Sequence, residues 1–245
     1  MRSEREQKIR DVIRQSQPDL TVVLENIFDP LNISAVLRSC DAVGVREVFV
    51  VYTKKYLDKR GLILGKKTSA GAFKWIDVYV FDDLEECLRR VRERYGHILA
   101  ASPGEKSRSL YELDLTEPAA LLFGNEDEGL SAEALALADG NFTVPQAGFA
   151  ESLNISVACA VSLFEARRQR EIKGYYGERS LLSPEQQEQL FRRWSAMLKE
   201  KSWLRQFAVP IGKDSAPLLP VFVERDEYAP PKKQVRPNPL TKFDL

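Results

Sequence analysis

Short apolar runs alternate with amphipathic stretches along most of the chain. The apolar runs predict buried strands at 19–26, 47–52, 75–81, 97–101, 119–123 and 141–145. The stretches between and after them predict helices at 3–16, 31–43, 82–95, 131–138, 152–170 and 184–199. This alternation favours an α/β fold, in which a mostly parallel sheet is covered by helices on both faces.

Residues with strong positional preferences mark the ends of one predicted helix. Asp29-Pro30 predicts a turn that opens the helix 31–43, because proline suits the first helical turn. Gly44 suits the C-cap of the same helix. In parallel α/β folds, ligands bind outside the carboxyl ends of the strands. The loops expected to carry function therefore follow strands, at 26–32, 52–74, 101–110, 124–130 and 145–153.

The chain divides into four predicted parts. A polar N-terminal helix occupies residues 1–18, one α/β domain occupies 19–176, and a C-terminal helical extension occupies 177–209. Seven of the thirteen prolines lie in 210–245, and proline at that density prevents regular helix or central strand. This proline-rich tail is expected to be extended, either docked through LLPVFV (218–223) or disordered.

Composition and charge exclude several classes of function. Lys plus Arg and Asp plus Glu both number 36, so a nucleic-acid surface has to be local. Three widely spaced cysteines and one histidine, His97, are too few for a zinc or two-histidine site. The charged N-terminus lacks a secretory core, and no apolar run reaches the roughly 20 residues that span a bilayer. We expect a cytoplasmic protein without a metal site or membrane segment.

The first candidate for chemistry is the helix predicted at 31–43. Asn32 lies at its start and Arg38 follows it, about 9 Å further along the helix axis. Asn32 offers a donor and an acceptor, and Arg38 offers a cationic fork that matches phosphate. An arginine within an otherwise apolar helix is costly unless it is paired or faces a cleft. The alternative is a helix cap with a surface arginine.

The second candidate is the turn LLFGNEDEGLS (121–131). A buried strand runs into Gly124, and glycine at that point allows the backbone to approach a ligand closely. Glu126 follows within the turn. The segment has neither a Gly-Lys-Ser/Thr phosphate loop nor a G-x-G-x-x-G dinucleotide fingerprint. An ordinary acidic turn is the alternative.

The third candidate is VPQAGFAESLNISVA (144–158). Ser152 and Asn154 suit the N-cap of the helix that follows. Free backbone N–H groups at a helix start can hold a ligand carboxylate or a ribose. Plain helix capping is the alternative.

The fourth candidate is the segment 53–75, which concentrates positive charge in an electroneutral chain. Lysines neutralise backbone phosphates, and the interleaved Tyr56, Phe73 and Trp75 can stack on exposed bases. The pattern favours RNA binding, and a solvated basic loop is the alternative. The residues predicted to bind RNA are Lys54, Lys55, Lys59, Arg60, Lys66 and Lys67.

Three of these segments, in this order, resemble a specific family. NISAVLRSCDAVG, LLFGNEDEGLS and VPQAGFAESLNISVACAVSLFEARRQR are similar to the three motifs of the SPOUT-superfamily ribose 2′-O-methyltransferases. The similarity is greatest to the TrmH type, which modifies tRNA guanosine, and it covers about residues 5–176. It implies that 19–176 is a methyltransferase domain, that its C-terminal part forms a deep trefoil knot, and that the protein is a homodimer.

The resemblance also implies a cofactor and roles for individual residues. S-adenosylmethionine would be held by three loops, at positions Ala101, Gly124, Val144 and Leu153. By motif position, Asn32 and Arg38 would be the catalytic pair, and the other functional polar residues would be Glu126, Ser152 and Asn154. Relatives carry threonine where this chain has Ala101, so a main-chain contact would survive there and a hydroxyl contact would be lost.

The identity of the RNA is a separate question. Ribosomal-RNA relatives usually carry an added N-terminal RNA-binding domain, and only about 18 residues precede the first predicted strand here. A tRNA substrate methylated at the D-loop guanosine 18 is therefore favoured over ribosomal RNA. An RNA-binding module without catalysis is an alternative from another class, although Asn32, Arg38 and Glu126 are all present. A nicotinamide oxidoreductase lacks its glycine fingerprint.

Overall fold

The computed structural model of the chain describes residues 2–53, 62–65, 72–104, 106–177, 180–199, 206–209 and 221–222. The strands of this part are β1 (Leu20–Glu25), β2 (Glu47–Val51), β3 (Leu62–Gly65), β4 (Asp77–Phe81), β5 (His97–Ala101), β6 (Arg108–Ser109), β7 (Ala119–Phe123), β8 (Gly140–Thr143), β9 (Gln206–Val209) and β10 (Val221–Phe222). Seven of them form a sheet in the order β4-β2-β1-β7-β5-β8-β6. Every neighbouring pair in it is parallel, so the predicted parallel α/β fold is confirmed.

Helices cover both faces of this sheet. They are α1 (Arg2–Arg14), α2 (Pro30–Val43), α3 (Leu84–Tyr95), α4 (Ala132–Leu137), α5 (Ile155–Ile172) and α6 (Pro184–Lys199). None of the described helices is long and apolar enough to cross a membrane.

The core is divided by the sheet into two layers. Successive strand residues point to opposite faces, and β1 shows this directly. Val22 and Leu24 pack with residues of α2 and α5, whereas Val23 between them packs with residues of α3 and α4. Because β1 is buried along its whole length, its sequence is mostly apolar rather than alternating between apolar and polar residues.

The ends of α2 form as the sequence predicts. The side chain of Asp29 accepts a hydrogen bond from the backbone N–H of Leu31 at 2.8 Å, and Pro30 begins the helix. Gly44 ends it with φ +83°, and a Cβ added there would lie 2.3 Å from the backbone oxygen of Gln15. Glycine is therefore required at this position for both its conformation and its size.

A third apolar cluster joins α1 to α6. Ile9 and Ile13 of α1 pack with Trp194 of α6. The ring of Trp194 meets that of Trp75 edge-on, with centroids 5.0 Å apart. The α6 helix thus packs against both α1 and the segment that leads into β4.

Some predicted boundaries were wrong. The predicted loop 53–75 contains β3, which pairs antiparallel with β9, and β9 also lies inside the extension predicted as helical. β10, within the LLPVFV segment, pairs with β9. The strand predicted at 75–81 begins at Asp77, because Ala72–Lys74 forms a 3₁₀ turn. The helix predicted at 152–170 begins at Ile155 and is capped by Asn154.

Candidate active site

A cleft of about 250 Å³ lies at the carboxyl ends of β5, β7 and β8. These strands end in three of the five loops that the sequence predicted to carry function. All four positions assigned to the cofactor, Ala101, Gly124, Val144 and Leu153, line the cleft. The other lining residues are Ser102, Pro103, Phe123, Asn125, Glu126, Gly129, Phe142, Thr143, Gln146, Glu151, Ser152, Ile155 and Ala158.

The turn after β7 is held by hydrogen bonds to the side chain of Asn125 and by close packing of its backbone. The side-chain oxygen of Asn125 accepts from the N–H groups of Asp127 at 3.0 Å and Glu128 at 2.7 Å. A Cβ at Gly124 would lie 2.2 Å from the carbonyl carbon and oxygen of Gly129. Glycine is therefore needed at position 124 so that the backbone at Gly129 can pack against it. The close approach of a ligand at Gly124, which also lines the cleft, stays a prediction.

Three side chains from the three motifs form a polar relay. The amide nitrogen of Asn154 donates to the side-chain oxygen of Asn32 at 3.2 Å. The amide nitrogen of Asn32 in turn donates to Oε1 of Glu126. The relay joins the start of α2, the turn after β7 and the start of α5, which the chain separates by 94 and 122 residues.

The orientation of each amide in the relay follows from its neighbours. The backbone N–H of Ser156 donates to Oδ1 of Asn154 at 2.9 Å, as expected for an N-cap. The amide nitrogen of Asn154 therefore faces Asn32, whose oxygen must accept. The amide nitrogen of Asn32 is then left to face the carboxylate of Glu126, which accepts. The start of α5 thus fixes how all three side chains point.

A second connection between the first two motifs was missed by the sequence reasoning. Glu25, at the end of β1, is 1% exposed. Its Oε2 accepts from the backbone N–H of Ser131 at 2.9 Å, and Ser131 is the N-cap of α4. A buried carboxylate at a helix start is stabilised by the unpaired N–H groups there. Glu25 thereby anchors the far end of the turn that carries Glu126.

Other residues assigned from the sequence fall outside the cleft or outside the described structure. Arg38 is exposed on α2 and is not among the residues lining the cleft. Its proposed catalytic role stays a prediction. The residues predicted to bind RNA, Lys54, Lys55, Lys59, Arg60, Lys66 and Lys67, lie outside the described residues.

The lining also includes polar residues that the motifs did not single out. Ser102, Gln146 and Glu151 contribute to the cleft. Their position in loops that follow β5 and β8 was the available signal, since those loops were predicted to carry function. Their residue types alone gave no reason to select them.

A larger cavity, of about 330 Å³, lies at the opposite, amino-terminal edge of the sheet. Its charged groups are paired with one another. Arg193 donates to Asp77 at 2.9 Å, and Arg94 pairs with Glu47 at 2.8 Å. Burial lowers the pKa of Arg46, and its ion pair with Asp41 partly offsets that shift. Since ligands of parallel α/β folds bind at the carboxyl edge, the smaller cleft is the candidate site.

The chain belongs to the SpoU rRNA Methylase family, which matches residues 19–164. The resemblance inferred from the three motifs is thereby confirmed.

Two relatives show how far the similarity extends. The chain is 45% identical over 190 residues to the tRNA (guanosine(18)-2′-O)-methyltransferase of Thermus thermophilus, and the match covers 78% of this chain and 95% of that enzyme. It is 39% identical over 151 residues to the 23S rRNA (guanosine-2′-O-)-methyltransferase RlmB of Xanthomonas campestris. That match covers 62% of this chain but 59% of the relative.

Solved structures agree with the sequence relatives. The A. aeolicus TrmH/SpoU tRNA modifying enzyme superposes with a TM-score of 0.72 and 34% identity, covering 81% of this chain and 98% of that one. The SpoU methyltransferase AviRb from Streptomyces viridochromogenes, solved in complex with the cofactor AdoMet, gives a TM-score of 0.55 and 27% identity. That superposition covers 64% of this chain and 62% of AviRb.

Proposed function

We propose that the chain is a tRNA 2′-O-methyltransferase that transfers a methyl group from S-adenosylmethionine to the ribose of guanosine 18 in the D-loop. The observation that carries the proposal is the polar relay of Asn32, Glu126 and Asn154 beside a cleft at the carboxyl edge of the sheet. The match to nearly the whole length of the Thermus thermophilus tRNA enzyme supports the same reaction and substrate.

The residues of the cleft fit the proposed cofactor. Phe123, Phe142 and Ile155 supply apolar surface for an adenosine-sized group, while Glu126 and Glu151 supply negative charge. S-adenosylmethionine combines an apolar ring system with a sulfonium, so this mixture of surfaces suits it. The residues that contact it are Ala101, Gly124, Val144 and Leu153. When bound, the cofactor supplies an electrophilic methyl carbon.

The ribose hydroxyl has to lose its proton as its oxygen attacks. A guanidinium stays protonated in proteins, so Arg38 acts as an electrostatic group. It binds the phosphate beside the target ribose and stabilises the developing negative charge on the oxygen. Its exposed position on α2 leaves it free to meet an incoming RNA. Water or a substrate phosphate accepts the proton.

The relay residues position the substrate groups. Asn32, held between Glu126 and Asn154, and Ser152 orient the ribose, and Asn154 also holds the start of α5. Placing the two reacting groups in line contributes the rest of the acceleration.

The active form is a homodimer. Exposed apolar side chains support this part of the proposal: Val157 and Phe164 on α5 are about half exposed, and Leu31 beside Asn32 is 58% exposed. Val161, which is half-buried, lies between the two α5 residues at helical spacing. Exposed apolar surface of this kind is typical of a protein interface. Leu31, the neighbour of Asn32 in the chain, supports a site that lies near the second subunit.

Transfer RNA is preferred over ribosomal RNA as the substrate. The chain spans nearly all of the tRNA-modifying relative but little more than half of the 23S rRNA enzyme. The basic residues of 53–75 bind the RNA backbone, and the reaction takes place in the cytoplasm. Residues 1–18 and 177–209 flank the methyltransferase domain 19–176, whose C-terminal part forms the trefoil knot, and 210–245 is a proline-rich tail.

Labelled S-adenosylmethionine, unmodified tRNA and ribosomal RNA test the proposal directly. We expect methyl transfer to tRNA, mapped to the 2′-oxygen of guanosine 18, and none to a tRNA with adenosine at that position. Transfer to ribosomal RNA alone would favour the alternative substrate. Calorimetry with the cofactor separates an enzyme from an RNA-binding module, because a module without catalysis would release no heat.

A further inference from the structure

Among the described residues that line it, the cleft contains two acidic side chains and no basic one. Of its described lining residues, Glu126 and Glu151 are the acidic ones, and none is a lysine, arginine or histidine. Both carboxylates are exposed, so they act on a ligand through partly screened electrostatics.

This charge has a consequence for the two forms of the cofactor. S-adenosylmethionine carries a sulfonium, an ammonium and a carboxylate, which sum to one positive charge. S-adenosylhomocysteine, the product, has a neutral thioether in place of the sulfonium and is a zwitterion without net charge. The two molecules otherwise share the same adenosine and amino-acid groups, so apolar contacts in the cleft distinguish them poorly.

We propose that Glu151, together with Glu126, makes the cleft selective for charge, so that it binds the cationic methyl donor more tightly than the neutral product. The inference rests on the proposed function, since it assigns a ligand preference to the same site. It predicts that, at equal concentrations, the methyl donor occupies the cleft in preference to the spent product.

Glu151 is the residue on which this selectivity can be tested. Glu126 also accepts from Asn32, so replacing it would disturb the relay. Glu151 immediately precedes Ser152 and Leu153, which line the same cleft, and its exposed carboxylate is not part of the relay. For a partly screened charge a few ångströms from a ligand, the expected effect on affinity is about three- to tenfold.

Isothermal titration calorimetry of the full chain, at low and high salt, tests the proposal. The ligands are S-adenosylmethionine, S-adenosylhomocysteine and sinefungin, in which an amine-bearing carbon replaces the sulfonium and keeps the positive charge. For Glu151→Gln we expect the Kd of both cationic ligands to rise about three- to tenfold at low salt. The Kd of S-adenosylhomocysteine should change less than about twofold, and the difference should shrink at high salt.

Two further variants provide controls. Asp127→Asn removes a neighbouring negative charge whose side chain does not line the cleft, and we expect it to leave the preference between ligands unchanged. Glu151→Lys should reduce the preference further than Glu151→Gln. Equal changes for all three ligands, or changes independent of salt, would show that Glu151 acts through loop shape and would overturn the proposal. A wild-type chain that binds none of the three would overturn the proposed function itself.

Discussion

The amide of Asn154 donates to the side-chain oxygen of Asn32 at 3.2 Å, so the cap of α5 and the first turn of α2 share one hydrogen bond. The same Asn154 uses its oxygen to cap α5, accepting from Ser156 at 2.9 Å. One side chain therefore serves stability through its oxygen and the site through its nitrogen. These two roles can be separated by substitution.

Asn154→Asp separates them. Aspartate is as good an N-cap as asparagine, so the thermal midpoint should stay within a few degrees of the wild type. The variant lacks the amide donor and places a carboxylate against the oxygen of Asn32, so kcat should fall by roughly 10- to 100-fold. Steady-state methylation of tRNA and a thermal melt measure the two effects. A large fall in the melting temperature with unchanged kcat would contradict this division.

Arg38→Lys tests the role of the guanidinium. The variant keeps the positive charge but loses the planar fork that binds phosphate through two hydrogen bonds. We expect kcat to fall by about tenfold or more, while the affinity for S-adenosylmethionine is unchanged because Arg38 does not line the cleft. Single-turnover methylation and cofactor titration measure these quantities. Near-normal turnover would show that two-point binding of phosphate is unnecessary.

Gly124→Ala should disrupt the turn after β7. Its Cβ would lie 2.2 Å from Gly129, so the backbone has to shift. We expect the free energy of unfolding to fall by roughly 2–4 kcal/mol and cofactor binding to be lost. Gly129→Ala is the matched control. Gly129 has φ +70° but open space around an added Cβ, so the cost should be about 1–2 kcal/mol. Urea unfolding of both variants shows whether Gly124→Ala lowers the free energy of unfolding more than Gly129→Ala does. Equal decreases would argue against a steric cause at Gly124.

Arg170→Met should be the most destabilising of these changes. The Arg170 side chain is fully buried and donates to the backbone oxygens of Leu115 at 2.8 Å and Glu117 at 3.0 Å. It also pairs with Asp19 at 2.5 Å. Removing the guanidinium leaves these acceptors unpaired, at a cost of about 3–5 kcal/mol.

Arg192→Met is the control for that variant. Arg192 pairs with Glu188 on α6, where both side chains are exposed, and such pairs contribute less than about 1 kcal/mol. Urea unfolding should therefore give a midpoint close to that of the wild type. Similar losses in the two variants would mean that burial of Arg170 does not decide its contribution.

Asp139 should contribute to acid sensitivity. Burial raises its pKa, but the N–H of Ile98 and the guanidinium of Arg92 outweigh burial and hold the pKa below its usual 3.8. Because the folded pKa is the lower one, the stabilisation is present above the unfolded pKa and is lost as the pH falls through the folded value. Asp139→Asn should cost roughly 1 kcal/mol at pH 7. In urea titrations the two proteins should converge below pH 3.8; a constant gap would contradict the assignment.

Local sequence signals were sufficient for most of the fold. Continuous apolar runs identified the strands because the central strands of a parallel sheet are buried on both faces. Asp29 and Gly44 identified the ends of α2, since both act through contacts with nearby backbone. β3 was missed because it is a four-residue strand between lysines, and its partner β9 lies over 140 residues further along the chain.

The site was predictable in its residues but not in its geometry. The motifs selected Asn32, Glu126 and Asn154, yet the hydrogen bonds that connect them depend on how α2, β7 and α5 pack together. Glu25 was missed because, in the sequence, it is an ordinary acidic residue at the end of a strand. Its hydrogen bond partner, the backbone N–H of Ser131, lies 106 residues further along the chain. Long-range packing decides such contacts, and no local pattern of residue types reports it.

The hydrogen bond between Asn154 and Asn32 determines when, during synthesis of the chain, the polar relay can form. Asn154 is translated long after Asn32, and the helix that fixes its orientation extends to Ile172. A nascent chain whose α5 is still inside the ribosomal exit tunnel already has its central strands but lacks the group that orients Asn32. The hydrogen bond between Asn154 and Asn32 can therefore form only after α5 has been synthesised, so the polar relay is among the last contacts of the domain to be completed.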